Sequence, residues 1–141
     1  MVYVFCYFRR SKINNILIDF ECDDFVIVNK PHGVLSHPTN TSKELTISDF
    51  LKDKYNLSGV GDIGREGVVH RLDRVTTGLM VCPINDESFK VFKSMFHDRN
   101  INKYYKALVE GSLKSKTGEI ELPLKRSSKN RKKREVNKDG K

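Results

Sequence analysis

The residue types that could do chemistry in this chain are crowded into positions 70–77. They run His70, Arg71, Leu72, Asp73, Arg74, Val75, Thr76, Thr77, set between the β-branched pair Val68–Val69 and the apolar run Leu79–Val81. Charges held between two apolar runs lie near a core, where they cost free energy unless paired or used. Asp73 is flanked by Arg71 and Arg74, and nearby positive charge favours an ionised carboxylate. An ionised, oriented, partly buried aspartate is a candidate nucleophile or general base. The bland alternative is that Asp73 closes a turn and pairs with an arginine, as isolated turn aspartates usually do.

The elements that must position this cluster can be read from periodicity. The central stretch predicts strand, polar turn, strand, with Val68–Val69 in the first strand and Leu79–Val81 in the second. Upstream, Ile16–Ile18 and Phe25–Val28 read as strands, the second ending in Asn29-Lys30-Pro31-His32-Gly33-Val34, where Pro31 and Gly33 enforce a turn. Thr46 predicts a helix start, with Asp49 three positions on completing a capping box and Ile47, Phe50, Leu51 and Tyr55 on one face. Gly59, Gly61 and Gly64 predict a flexible loop without a phosphate-loop spacing. Asn85 or Asp86 caps a second predicted helix whose stripe Phe89, Phe92, Met95, Phe96 reads as core, and Asn100 and Asn102 end it. Lys103–Glu110 alternates as a strand, with Tyr105, Ala107 and Val109 on one face, and Gly111–Leu124 reads as a hairpin.

The order His-Arg-Leu-Asp, two residues, Thr, then Thr-Gly-Leu resembles the signature of the RluA-type pseudouridine synthases, with Thr77 where that pattern usually has Ser. The acidic pair before Phe25 and the Lys30-Pro31-x-Gly33 turn resemble the family's first motif. Lys103-x-Tyr105-x-Ala107-Leu108-Val109 resembles its tyrosine strand, and Arg131–Val136 its basic loop. The resemblance implies an α+β fold: a mixed, mostly antiparallel sheet with flanking helices. It implies that Asp73 is the catalytic aspartate, that Tyr105 stacks on the target base, and that Arg71 fills the gap left when that base flips out. It implies RNA as partner, held by Lys30, Arg126, Arg131, Lys132, Lys133 and Arg134. By the same resemblance residues 1–15 are an N-terminal extension, and residues 16–141 are a catalytic domain that stops short of the family's last sheet segment. A chain cut there is expected to be inactive and poorly stable alone, which keeps a non-catalytic RNA-binding remnant as the alternative reading.

Composition bounds these readings. With 38% hydrophobic and 31% charged residues, 141 residues make one modest, soluble domain. No apolar run approaches the ~20 residues of a membrane span, so no membrane role is expected. Arg9, Arg10 and Lys12 follow the apolar start instead of preceding it, which argues against a signal peptide. Cys6, Cys22 and Cys82 are odd in number and form no CxxC pair, and His32 and His37 lie five apart around Pro and Gly. The expectation is a cytoplasmic monomer with no metal and no cofactor. Residues 125–141 hold nine Lys/Arg against two Asp/Glu, a net of +7 out of the chain's +8. A block this basic is either a solvated tail or a polyanion contact.

Overall fold

The computed structural model describes residues 16–39, 42, 44–130 and 133–140. The chain divides into two compact units between Ala107 and Leu108. In the first, β1 (Leu17–Glu21), β2 (Phe25–Lys30) and β3 (Gly78–Pro83) form an antiparallel sheet in that order, joined by α1 (Ile47–Lys54) and followed by α2 (Asp86–His97). In the second, β4 (Leu124–Arg126) pairs antiparallel with β5 (Arg134–Val136). The fold is α+β with antiparallel sheets and helices, as the motifs implied.

β2 is the central strand, and its parity sets the core. Val26, Val28 and Lys30 are buried on one face, while Phe25, Ile27 and Asn29 are half-buried on the other. Across the ladder Val26 faces Cys82 and Val28 faces Met80, both buried. Ile47 and Leu51 of α1, with Val34, Leu57, Val60, Val68, Leu72 and Phe89, complete the cluster. Each such side chain contributes roughly 1.5–3 kcal/mol by leaving water.

Both helices start where local chemistry dictates. Thr46 Oγ1 accepts from the Asp49 amide while Asp49 Oδ2 accepts from the Thr46 amide. Two further amides of the first turn, Ile47 and Ser48, donate to the carbonyls of Leu35 and Ser36 at 2.9 and 3.1 Å. Amides that a helix start leaves without intrahelical partners thus fasten the 35–36 backbone. Asn85 caps α2 by accepting from the Ser88 amide at 2.8 Å.

Four expectations are corrected. Val68–Val69 is no strand. Gly67 takes φ +70°, its amide donates to Val60, and the Val68 amide donates to Arg65, so the bonds are local turns. β3, the strand it was expected to pair with, gives its Val81 amide to the His70 ring and not to a backbone ladder with that run. α2 ends at His97, before Asn100, with Asp98 as cap and Arg99 at φ +59°. Of its aromatic stripe only Phe89 is buried, while Phe92, Met95 and Phe96 are half-buried. Residues 103–110 and 111–123 form neither a strand nor a hairpin. The alternation is present, but no described strand lies alongside to supply the ladder that alternation needs. Tyr104, Tyr105, Leu108 and Ile120 are exposed as a result.

Candidate active site

Between His70 and Thr77 the chain is irregular, and its first four residues alternate in direction. His70 and Leu72 turn inward, Arg71 and Asp73 outward. The inward residues hold the loop. His70 Nε2 accepts from the Val81 amide of β3 at 3.1 Å, and the ring stacks on Phe96 with centroids 4.3 Å apart. Burial, with the Lys103 ammonium adding to it, pushes the His70 pKa down to about 4. The ring is therefore neutral at pH 7, with its proton on Nδ1 so that Nε2 can accept.

Leu72 is buried, and its backbone is bracketed by one hydroxyl. Ser36 Oγ donates to the Leu72 carbonyl at 2.9 Å and accepts from the Leu72 amide at 3.2 Å. On the far side of Asp73, the Arg74 carbonyl accepts from the Gly33 amide at 2.8 Å and from Lys30 Nζ at 3.3 Å. Gly33 adopts φ +85°, a conformation that favours glycine. The Asp73 carbonyl itself accepts from the Thr76 amide at 3.0 Å. The backbone is thus fixed immediately before and after Asp73, while the carboxylate stands in solvent with 74% of its side chain exposed. Its partner is Arg71, Nη2 to Oδ1 at 3.2 Å. The Arg74 guanidinium pairs instead with Glu44. Exposed pairs of this kind are worth ~0–1 kcal/mol, weak enough to open for a ligand.

A family model described as RNA pseudouridylate synthase matches residues 24–141. The chain belongs to that family. The ribosomal large subunit pseudouridine synthase D of Zymomonas mobilis is 38% identical over 125 residues, covering 87% of this chain and 39% of that protein. The protein of the same name from Borreliella burgdorferi is 36% identical over 131 residues, covering 88% and 39%. An uncharacterized RNA pseudouridine synthase of Aquifex aeolicus is 38% identical over 128 residues, covering 89% and 40%. The chain spans about two fifths of the length of these relatives.

Within this synthase-family chain the expected site residues separate. Asp73 and Arg71 are together, but Asp73 is exposed where partial burial was expected. Only Leu72 and His70 carry the stretch inward, so the carboxylate avoids a desolvation cost. Lys30 is corrected more sharply. It is fully buried, its ammonium spent on backbone carbonyls, and it cannot reach RNA. Tyr105 is 66% exposed and makes no hydrogen bond or ring contact with a described residue. Arg126 and Arg134 face each other across the β4–β5 ladder, and Lys133 is exposed beside them. Arg131 and Lys132 lie outside the described residues.

Sequence reasoning assigned no role to Ser36 or His70, though one signal was there for His70. Its alternation with Arg71, Leu72 and Asp73 already placed it on the side of the buried leucine. Among the described residues no cluster of His, Cys, Asp and Glu could hold a metal ion, and no helix is long and apolar enough to cross a membrane. A cavity of about 440 Å³ opens at the end of α1, beside Tyr55, Gly61 and Glu66, and no residue of the 70–77 loop lines it.

Proposed function

We propose that this chain carries the catalytic carboxylate of an RNA pseudouridine synthase, and that Asp73 is that group. The observation behind this is the placement of Asp73: an exposed carboxylate on backbone held from both sides by Ser36, Gly33 and Lys30. A group that must meet an incoming nucleotide needs access, and a rate-determining geometry needs a fixed backbone.

The reaction class breaks the bond from ribose to the uracil nitrogen, turns the base, and rejoins it through carbon 5. The target base must first leave its stack. Asp73 either bonds covalently to the sugar or base, or removes a sugar proton to give a glycal. Arg71, released from its weak pair, occupies the space the base vacates, and Tyr105 stacks on the flipped base. Arg126, Lys133 and Arg134, with Arg131 and Lys132, hold phosphates, which gives affinity without base choice. Ribosomal large-subunit RNA is the favoured substrate, because two of the relatives carry that substrate in their names. Transfer RNA is the alternative.

The test is Asp73→Asn in the natural protein that carries these residues, with pseudouridine read by mass labelling of cellular RNA. Loss of the product with RNA binding retained is the expected result. Activity within about tenfold of wild type, a barrier change of only ~1.4 kcal/mol, would remove Asp73 from the chemistry. RNA binding with no pseudouridine formed even by the wild-type protein would instead make it a binding module.

A further inference from the structure

α2 ends on a ring that touches both segments of the proposed site. Phe96 lies on the last turn of the helix and is half-buried, outside the cluster that forms the core. Its ring stacks on the His70 imidazole, with centroids 4.3 Å apart and planes 20° from parallel. That imidazole is itself held to the sheet, because Nε2 accepts from the Val81 amide at 3.1 Å. The Lys103 ammonium stands over the same phenyl ring, 5.0 Å from its centroid. It gets there because the chain doubles back after α2. Arg99 takes φ +59°, and the Asp98 and Asn100 amides donate to the carbonyls of Ser94 and Met95 at 2.8 and 2.9 Å. Residues 101–107 make no hydrogen bond with a described residue, which leaves the ring contact of Lys103 as their fastening among the described residues.

We infer that Phe96 is a positioning residue: its ring joins the segment that carries Asp73 to the segment that carries Tyr105. This inference rests on the roles proposed for Asp73 and Tyr105. His70 stands three residues before Asp73, and Lys103 two before Tyr105. Two residues of extended chain span at most ~7 Å, so holding Lys103 limits where the Tyr105 ring can reach. Packing alone asks for less than a phenyl ring. A leucine would also shield the imidazole from water, but it offers no π face, and an ammonium is attracted by the electron-rich face of a ring. Burial, and after it the Lys103 charge, disfavours the imidazolium at His70. The neutral imidazole keeps Nε2 able to accept from Val81 and adds no second positive charge beside the ammonium. Stack, hydrogen bond and ammonium therefore support one arrangement, with Phe96 at its centre.

The experiment measures kcat, KM for RNA and Tm in the natural protein for Phe96→Leu, Lys103→Met and the two combined, with Asp73→Asn and Tyr105→Ala as controls. Leu keeps apolar bulk and removes the ring face. Met keeps the stem and removes the charge. The expected result is kcat lower by about tenfold for Phe96→Leu and about fivefold for Lys103→Met, with KM within about threefold and Tm within a few degrees of wild type. Because both act through one contact, the double variant should lose no more than Phe96→Leu alone, where independent effects would multiply to about fiftyfold. The imidazole NMR midpoint of His70 should rise above about 4 in Phe96→Leu. With both controls impaired, a double variant near the full product, a kcat within about twofold of wild type in either single variant, or an unmoved His70 midpoint overturns the role of Phe96. A change confined to KM in Lys103→Met overturns it too, because the lysine would then be a phosphate contact. Tm lower by more than about 10 °C in Phe96→Leu, or no cooperative melt, does the same, because the ring would then serve the fold. Full activity of Asp73→Asn or of Tyr105→Ala removes the reading on which the inference stands.

Discussion

Acid should loosen the 70–77 loop through one residue, His70. In the folded chain burial, followed by the Lys103 ammonium, holds its pKa at about 4, against 6.5 for the free side chain. As pH falls through 6.5 the unfolded chain takes up a proton that the folded chain refuses until about pH 4. Stability from this group is therefore complete above pH 6.5 and is lost between 6.5 and 4. A difference of about 2.5 pKa values corresponds to ~3 kcal/mol, or roughly 10 °C in Tm for a chain of this size. The geometry gives the cause. A protonated imidazole would point an N–H at the Val81 amide, two donors where there is now a 3.1 Å hydrogen bond. The comparison that isolates the effect is wild type against His70→Gln, with denaturant melts at pH 7, 6, 5 and 4, since other titrating groups cancel in the difference. The variant should start less stable, and the gap should shrink by about 3 kcal/mol by pH 4. A gap constant to within ~0.5 kcal/mol, or an imidazole NMR titration with its midpoint near 6.5, would refute the account.

Two further perturbations address the loop and the basic strands. Ser36→Ala strips both backbone groups of Leu72 of a buried partner and should cost roughly 2–6 kcal/mol, at ~1–3 kcal/mol for each unmet group. Amide exchange at Leu72 should accelerate in parallel, and an unchanged melt would show that water replaces the hydroxyl. If about 4 charges of the basic stretch neutralise phosphates, log affinity for single-stranded RNA should fall against log salt with a slope of about −3. Arg126→Ala together with Arg134→Ala should flatten that slope to about −1.4, and a titration series that keeps the original slope would leave the β4–β5 ladder as a solvated surface.

What was legible in the sequence is what is local. The Thr46–Asp49 pair and the Asn85 cap act over three residues, and both helices begin where they place them. The runs Phe25–Val28 and Leu79–Val81 lie in strands whose alternate residues Val26, Val28 and Met80 are buried on one face. The candidate site was marked in the sequence by its residue types, and its geometry was not. Lys30 follows Val26 and Val28 at period two, so its inward direction was readable, yet its partner 44 residues on was not. The pairing of Arg74 with Glu44, not Asp73, likewise depends on which loops the sheet brings together. The period-two pattern of 103–110 fails for the opposite reason. Alternation fixes the faces of a strand, but only a neighbour makes it one.

The fastenings around Asp73 also dictate the order in which the molecule can acquire them. Ser36 meets Leu72 across 36 residues and Lys30 meets Arg74 across 44. Closing segments of that length is an entropic toll on the search, taken before any bond rewards it. Ser36 is itself anchored by the first turn of α1, so the helix must be in place for its hydroxyl to find Leu72. The carboxylate's setting is therefore tied to the pairing of β2 with β3, which bridges a still longer stretch of chain, from Lys30 to Gly78. A nascent or partly unfolded copy has the aspartate in its sequence but not the setting that fixes its backbone.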